Sequence, residues 1–166
     1  MRLFVSLRPS RQALAHLGAA LSGRRTSNPE QWHITLAFLG EVGRAEILYD
    51  GLRAAAARTP EFALHLAGSG AFSGPRVVWA GVGGDVDGLA ALAAEVQQAC
   101  REAGIALESR RFRPHLTIGK TGRIDPSQLS AYEGPPWTVH QVELVRSVLG
   151  TSVSHTVLER FPLYQA

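Results

Sequence analysis

The sequence has few cysteines, few charges and no long apolar run, and each shortage excludes something. Its single cysteine, Cys100, rules out an internal disulfide framework and any zinc site built on several cysteines. That residue follows Val96 by one helical turn on an apolar stripe and reads as packing. Charged residues make up 19% of the chain against 45% hydrophobic, a globular balance rather than a disordered one. No stretch approaches the ~18 apolar residues of a membrane span. The opening MRLFVSL offers about five apolar residues before Arg8 and Pro9, short of a secretion signal's core. A cytoplasmic protein with no membrane partner is therefore expected. The net charge is only +3, although the pI near 9.6 leans basic, in keeping with an anionic ligand. At 166 residues the expectation is one domain over 1–166.

The chain does contain a regular alternation of short strands and helices. Residues 2–7 form a β-rich run ended by Pro9, and Ser10 can cap a helix carrying Leu14, Leu17 and Leu21. A basic, turn-rich loop follows, and then a strand, WHITLAFLG, closed by Gly40. A second helix is expected over 44–58, then strands at 61–72 and 76–82. Asp85 can cap a third helix whose apolar face is Leu89, Leu92, Val96 and Cys100, stopped near Gly104. FRPHLTIGK reads as a strand starting at Pro114, DPSQLSAY as a short helix, and WTVHQVELVRSVLG and SVSHTVLERFPL as two long strands joined near Gly150. Strand, helix, strand occurs at 2–40 and again at 76–120. The repeat predicts an α+β fold of two similar lobes, packed side by side.

Both repeats end on the same polar pattern, HITL from His33 and HLTI from His115. On a strand, residues i and i+2 share a face, so His33 projects with Thr35 and His115 with Thr117. Ile34, Leu36, Leu116 and Ile118 point the other way, into packing. With six histidines in the chain, chance supplies roughly 0.3 His-x-Thr triplets; two copies at matching points of a repeat call for a joint role. Imidazole serves as acid or base near neutrality, with an ordinary pKa of about 6.5. One histidine can take a proton from water while the other gives one to a leaving oxygen. The hydroxyls of Thr35 and Thr117 suit the free oxygens of a phosphate held between them. That set of groups suits metal-free attack at phosphorus.

HITL and HLTI, each closing a strand–helix–strand unit, resemble the paired His-x-Thr-x signature of the two-histidine (2H) phosphoesterases. More closely, the chain resembles their RNA 2′,3′-cyclic phosphodiesterase branch, historically called 2′-5′ RNA ligase. MRLFVSL, HITLAFLGEV, GAFSGPRVVWAGV, FRPHLTIGK and LERFPL carry that resemblance along nearly the whole chain. It implies a bilobal fold, two pseudo-symmetric lobes each with an antiparallel sheet and flanking helices around a central cleft. It also implies hydrolysis of RNA 2′,3′-cyclic phosphate ends to 2′-phosphomonoesters by a monomer without metal or cofactor. By the same resemblance His33 is the proton donor and His115 the proton acceptor, roles the residues alone leave open. The branch commonly carries arginine two residues beyond the second motif, where this chain has Lys120. Lysine keeps the positive charge but loses the planar fork that grips phosphate bidentately.

Other phosphate and metal signals fail on spacing. GKT at 119–121 lacks the earlier P-loop glycine, since position 114 is Pro114. The glycines of GSGAFSG are wrongly spaced for a dinucleotide fingerprint. His33 and His115 have no Asp, Glu or Cys beside them on their faces to complete a zinc site. Arg24 and Arg25 before the first motif, and Arg110, Arg111 and Arg113 before the second, are candidates to guide an RNA backbone. Arg113 is the expected contact among these, sharing the face of His115 if that strand runs through Pro114. His16, His65, His140 and His155 lack the motif context and read as ordinary surface or core residues. Trp32, Phe72 and Trp137 are candidates for base stacking, with packing the plainer role for each. Related 2H chemistry on small cyclic phosphodiesters, reversible 2′-5′ RNA joining, and a binding module without turnover remain the alternatives.

Overall fold

The repeat is realised as β1 (Arg2–Leu7), α1 (Arg11–Ala20) and β2 (Ile34–Glu41), then β4 (Val77–Gly84), α3 (Val86–Glu102) and β5 (Leu116–Lys120). The computed structural model describes residues 1–165. Between and after these units lie α2 (Tyr49–Ala57), β3 (Phe62–Phe72), β6 (Trp137–Val139), β7 (Gln141–Val148) and β8 (Ser154–Pro162). Single-turn 3-10 helices occupy Pro29–Gln31, Ala45–Leu48 and Pro126–Leu129.

All eight strands form one antiparallel, curled sheet in the order β6-β3-β4-β5-β2-β1-β7-β8. That order is symmetric about its centre: each motif strand is followed outward by the first strand of its own repeat, then by two more. The two expected lobes are thus the two halves of a continuous sheet, which meet among the described residues where Ile34 of β2 pairs with Leu116 of β5. The helices interleave them, because α3 of the second repeat packs on β2 of the first and α1 of the first packs on β3 of the second half.

Alternation explains which face is which. Leu7, Ile34, Leu36, Leu116 and Ile118 are at most 2% exposed and enter one core with Leu89, Leu92, Val96 and Cys100 of α3. The helix holds its place through Asp85, whose carboxylate accepts from the Gly88 amide at 2.8 Å, a cap of about 1 kcal/mol. It ends where Gly104 adopts a φ of 96°, left-handed backbone that glycine takes without strain. Burial pushes the Cys100 thiol up to about 12, so it packs as a small apolar side chain.

Two expected strands change. The run 137–148 is not one strand: it breaks at His140, with β6 pairing β3 and β7 pairing β1. The chain crosses from one half-sheet to the other there, and the exposed His140 is held by Glu61 at 2.6 Å. The strand expected from Pro114 begins at Leu116, because proline has no N–H to give to a ladder. No helix of the described residues is long and apolar enough to cross a membrane.

Candidate active site

The pair Ile34–Leu116 sits at the centre of the sheet. Counting outward along antiparallel strands, His33 stands against Thr117 and Thr35 against His115. Opposed residues share a face, so four polar groups from two motifs meet on the face away from the core. All four are half-buried, within reach of a ligand while held by packed neighbours.

Each histidine occupies the residue just before its strand, and each is fixed in the same way. The Nδ1 of His33 lies 2.6 Å from the Gln31 carbonyl, and that of His115 lies 2.6 Å from the Arg113 carbonyl. A carbonyl only accepts, so both Nδ1 atoms carry the proton and both neutral rings present a bare Nε2. The Thr35 hydroxyl donates to the His33 Nε2 at 3.0 Å. Two carbonyls, each two residues upstream, therefore set one tautomer on both walls.

Surroundings make the walls unequal. Phe4 stacks on His33 at 4.8 Å between centroids, and His155 meets both rings edge-on, at 5.1 Å from Phe4 and 5.5 Å from His33. Arg8 donates to the carbonyls of Glu30, Trp32 and Pro29, which pins the turn leading to His33. Burial lowers the His33 pKa from 6.5 to about 4; the Gln31 hydrogen bond opposes this, and the charges of His155, Arg8 and His115 add to it. Burial and Arg8 lower that of His155 as well. On the other wall, Phe72 meets His115 edge-on at 4.9 Å and Trp79 lies at 6.3 Å. Trp79 can lie there because β3 has glycine below it: a Cβ on Gly70 would come within 2.3 Å of the indole.

The low His33 pKa gives a measurable signature. In the free protein the His33 ring should titrate by NMR with a midpoint near pH 4, and inorganic phosphate should move that midpoint up by stabilising the imidazolium. A midpoint at 6.5 or above would contradict the packing described. An unfolded chain binds this proton near pH 6.5 and the folded chain near 4. The contribution to stability is thus full above about 6.5 and falls as pH drops towards 4.

Of the residues singled out in the sequence, His33, Thr35, His115 and Thr117 converge. Lys120 joins their face by an unexpected route. Spacing alone sets it opposite to Thr117, but the pairing steps past Ile118, so Thr117 faces Trp79 and Lys120 faces Val77. This bulge restores Lys120 to the side of Thr117. Arg113 contributes its carbonyl; its side chain is exposed, and the strand that was to align it with His115 starts later. Trp32 and Trp137 are 2% and 7% exposed and belong to the core. Arg24, Arg25 and Arg123 line a hollow of about 570 Å³ just beyond Lys120, so the basic residues before the first motif reach the end of the second. Sequence reasoning passed over Arg8, Phe4 and His155. His155 lies far from both motifs in the chain, and only the curl of the half-sheet swings β8 onto His33. Among the described residues, no three His, Cys, Asp or Glu side chains gather as a metal site requires.

Residues 6–151 match the model of the 2′-5′ RNA ligase superfamily. The chain is 33% identical over 159 residues to the RNA 2′,3′-cyclic phosphodiesterase of Geobacillus stearothermophilus, an alignment covering 89% of this chain and 50% of that protein. The chain thus spans about half the length of this relative. A crystal structure of a phosphoesterase superposes with a TM-score of 0.82 at 26% identity, covering 99% of this chain and 98% of that one. Escherichia coli LigT complexed with 3′-AMP superposes with a TM-score of 0.76 at 27% identity, covering 98% and 97%.

Proposed function

The chain belongs to the 2′-5′ RNA ligase superfamily, and on that premise we propose that it hydrolyses RNA 2′,3′-cyclic phosphate ends to 2′-phosphomonoesters without a metal. The observation that carries this is the doubled imidazole geometry: two Nδ1–H groups donated to carbonyls, and two Nε2 atoms turned to one face beside two hydroxyls.

The cyclic phosphate lies between the walls, its free oxygens accepting from Thr35 and Thr117, with Lys120 countering its charge. The bare Nε2 of His115 takes a proton from water as the water oxygen bonds to phosphorus. The P–O3′ bond breaks, and the 3′ oxygen takes the proton from Nε2 of His33. His33 must first become an imidazolium. Burial makes that ion scarce in the free protein and strongly acidic once formed, and the bound anion provides the opposite charge that favours it. The Gln31 and Arg113 carbonyls hold both rings in register throughout. The RNA strand leading to the cyclic end runs past Lys120 towards Arg24, Arg25 and Arg123, with its phosphates meeting their charges. The enzyme acts as a monomer in the cytoplasm.

The test is incubation with a defined RNA bearing a 2′,3′-cyclic phosphate, with and without chelator, followed by identification of the product end. A 2′-phosphate formed at the same rate in chelator is the expected result. A 3′-phosphate, a 2′-5′-joined product, turnover abolished by chelator, or binding without turnover would each overturn the reading.

A further inference from the structure

The mechanism above leaves one buried hydroxyl of the cleft face without a task. Three polar side chains are buried among the described residues: Ser6, Thr59 and Glu143. The Thr59 hydroxyl donates to the Ala55 carbonyl at 3.0 Å, and the Glu143 carboxylate accepts from Arg160 at 3.0 Å. Ser6, on β1, is 1% exposed. Its neighbours Leu3, Val5 and Leu7 enter the core, so Ser6 turns to the opposite face with Phe4. There it stands directly opposite Thr35. An extra residue, Leu36, at the step between Val5 and Ser6 sets this register, and it brings Phe38 opposite Phe4 on the same face.

Opposed side chains on one face of an antiparallel pair have Cβ atoms about 4.5–5.5 Å apart, within hydrogen-bonding reach for two hydroxyls. Phe4 lies two residues before Ser6, and His33 two before Thr35, at opposite corners of this pair. Their rings nevertheless stack at 4.8 Å. They lean towards each other over the pair and close it from water, which is how a serine on the cleft face comes to be buried. A hydroxyl in so dry a place is costly unless hydrogen-bonded. Glu143 stands on its other side, on β7, but that carboxylate is held by Arg160 and lines a hollow with Arg8, His140 and Gln141. Thr35 offers the better match. It spends its single proton on Nε2 of His33 at 3.0 Å, and its oxygen keeps lone pairs for a donor.

We infer that Ser6 is a positioning residue for the reaction: its hydroxyl donates to the Thr35 oxygen and so directs the Thr35 proton into the cleft. This rests on the phosphoesterase reading above. Before substrate binds, that proton meets Nε2 of His33. Once His33 is an imidazolium, Nε2 carries a proton of its own, and two arrangements compete. In one, the imidazolium donates to the Thr35 oxygen and is diverted from the leaving 3′ oxygen. In the other, Thr35 donates to the phosphate. With its oxygen engaged by Ser6, Thr35 adopts the second, and each bond in the line polarises the next. The His115 wall has no counterpart, because the residue opposite Thr117 on β4 is Trp79.

The test is a double-mutant cycle on an RNA ending in a 2′,3′-cyclic phosphate. Ser6→Ala should lower kcat about three- to tenfold, the worth of one neutral hydrogen bond, and leave KM within about twofold. Ser6→Cys, which refills the space with a weak donor, should show the same loss. Neither change enlarges the side chain much, so both variants should fold, which a thermal melt checks. The Ser6→Ala loss should disappear in a Thr35→Val background and persist in a Thr117→Val background. An equal loss in both backgrounds, full activity in Ser6→Cys, or unchanged kcat in Ser6→Ala overturns the inference. A wild type that leaves the RNA unhydrolysed overturns the hydrolase reading instead. The cycle is then read by calorimetric binding of 2′-AMP. Ser6→Ala must weaken that binding when Thr35 is present and not when it is valine; no such coupling, or no binding, overturns the positioning role.

Discussion

Alanine at either His33 or His115 should lower kcat on an RNA ending in a 2′,3′-cyclic phosphate by about 10²–10⁴-fold, the usual worth of one positioned proton-transfer group. Both rings are half-buried and lie outside the hydrophobic core, so the fold should survive the change. Near-normal turnover by both variants would end the acid–base scheme. The two substitutions alone cannot say which ring is the acid, because the walls present the same tautomer. A second substrate can. Replacing the leaving 3′ oxygen with sulfur gives a leaving group that departs without protonation. The His33→Ala defect should largely vanish on that substrate, while the His115→Ala defect should persist, since water must still lose a proton. Rescue of His115→Ala instead would exchange the two roles. A pH profile cannot make this distinction by itself: one protonated and one neutral histidine give the same bell whichever is which.

Much of this site was legible in the chain because strand alternation is a local rule. His33 with Thr35, and His115 with Thr117, follow from two-residue periodicity, and their meeting follows from the repeat. What local rules missed depends on partners. Whether Lys120 and Phe38 face the cleft is decided by bulges, which exist only in a paired ladder. The register against β4 and β1 reverses what spacing alone would assign. His155 is brought in by the curl of four strands, a property no segment carries by itself. Arg113 is expected to share the face of His115, but Pro114 delays the strand to Leu116, and it is the Arg113 carbonyl that meets the His115 ring. His140 looked like one residue of a long strand and is the crossing between two half-sheets, which hydrophobic alternation continues straight through. These differences share a cause: each concerns which neighbour a residue meets, and the pattern of the chain fixes mainly which residues turn inward.

The largest effect outside the histidines should come from the two hydroxyls together. Valine matches threonine in shape and strand preference, so Thr35→Val and Thr117→Val remove a hydrogen-bonding group with little disturbance to β2 or β5. A hydrogen bond to a charged group contributes about 1.5–3 kcal/mol, so each change should lower kcat/KM by about 10–150-fold. In the proposed arrangement both hydroxyls grip one phosphate, so the double variant need not show the full product of the two losses. A fall of at least about 10²-fold in kcat/KM is still expected, and serine at either position should retain most of the activity. The split between constants carries the mechanism. Thr35 donates to His33 in the free protein, and the proposed mechanism requires it to turn to the phosphate on binding. Thr35→Val should therefore change kcat more than KM if its hydroxyl engages fully as charge builds on the phosphoryl oxygens, the condition for an interaction that speeds chemistry. A pure rise in KM would show that it grips substrate and transition state alike. Full activity in the double valine variant would remove the threonines from the phosphate site and leave the repeated motif with only its histidines to explain.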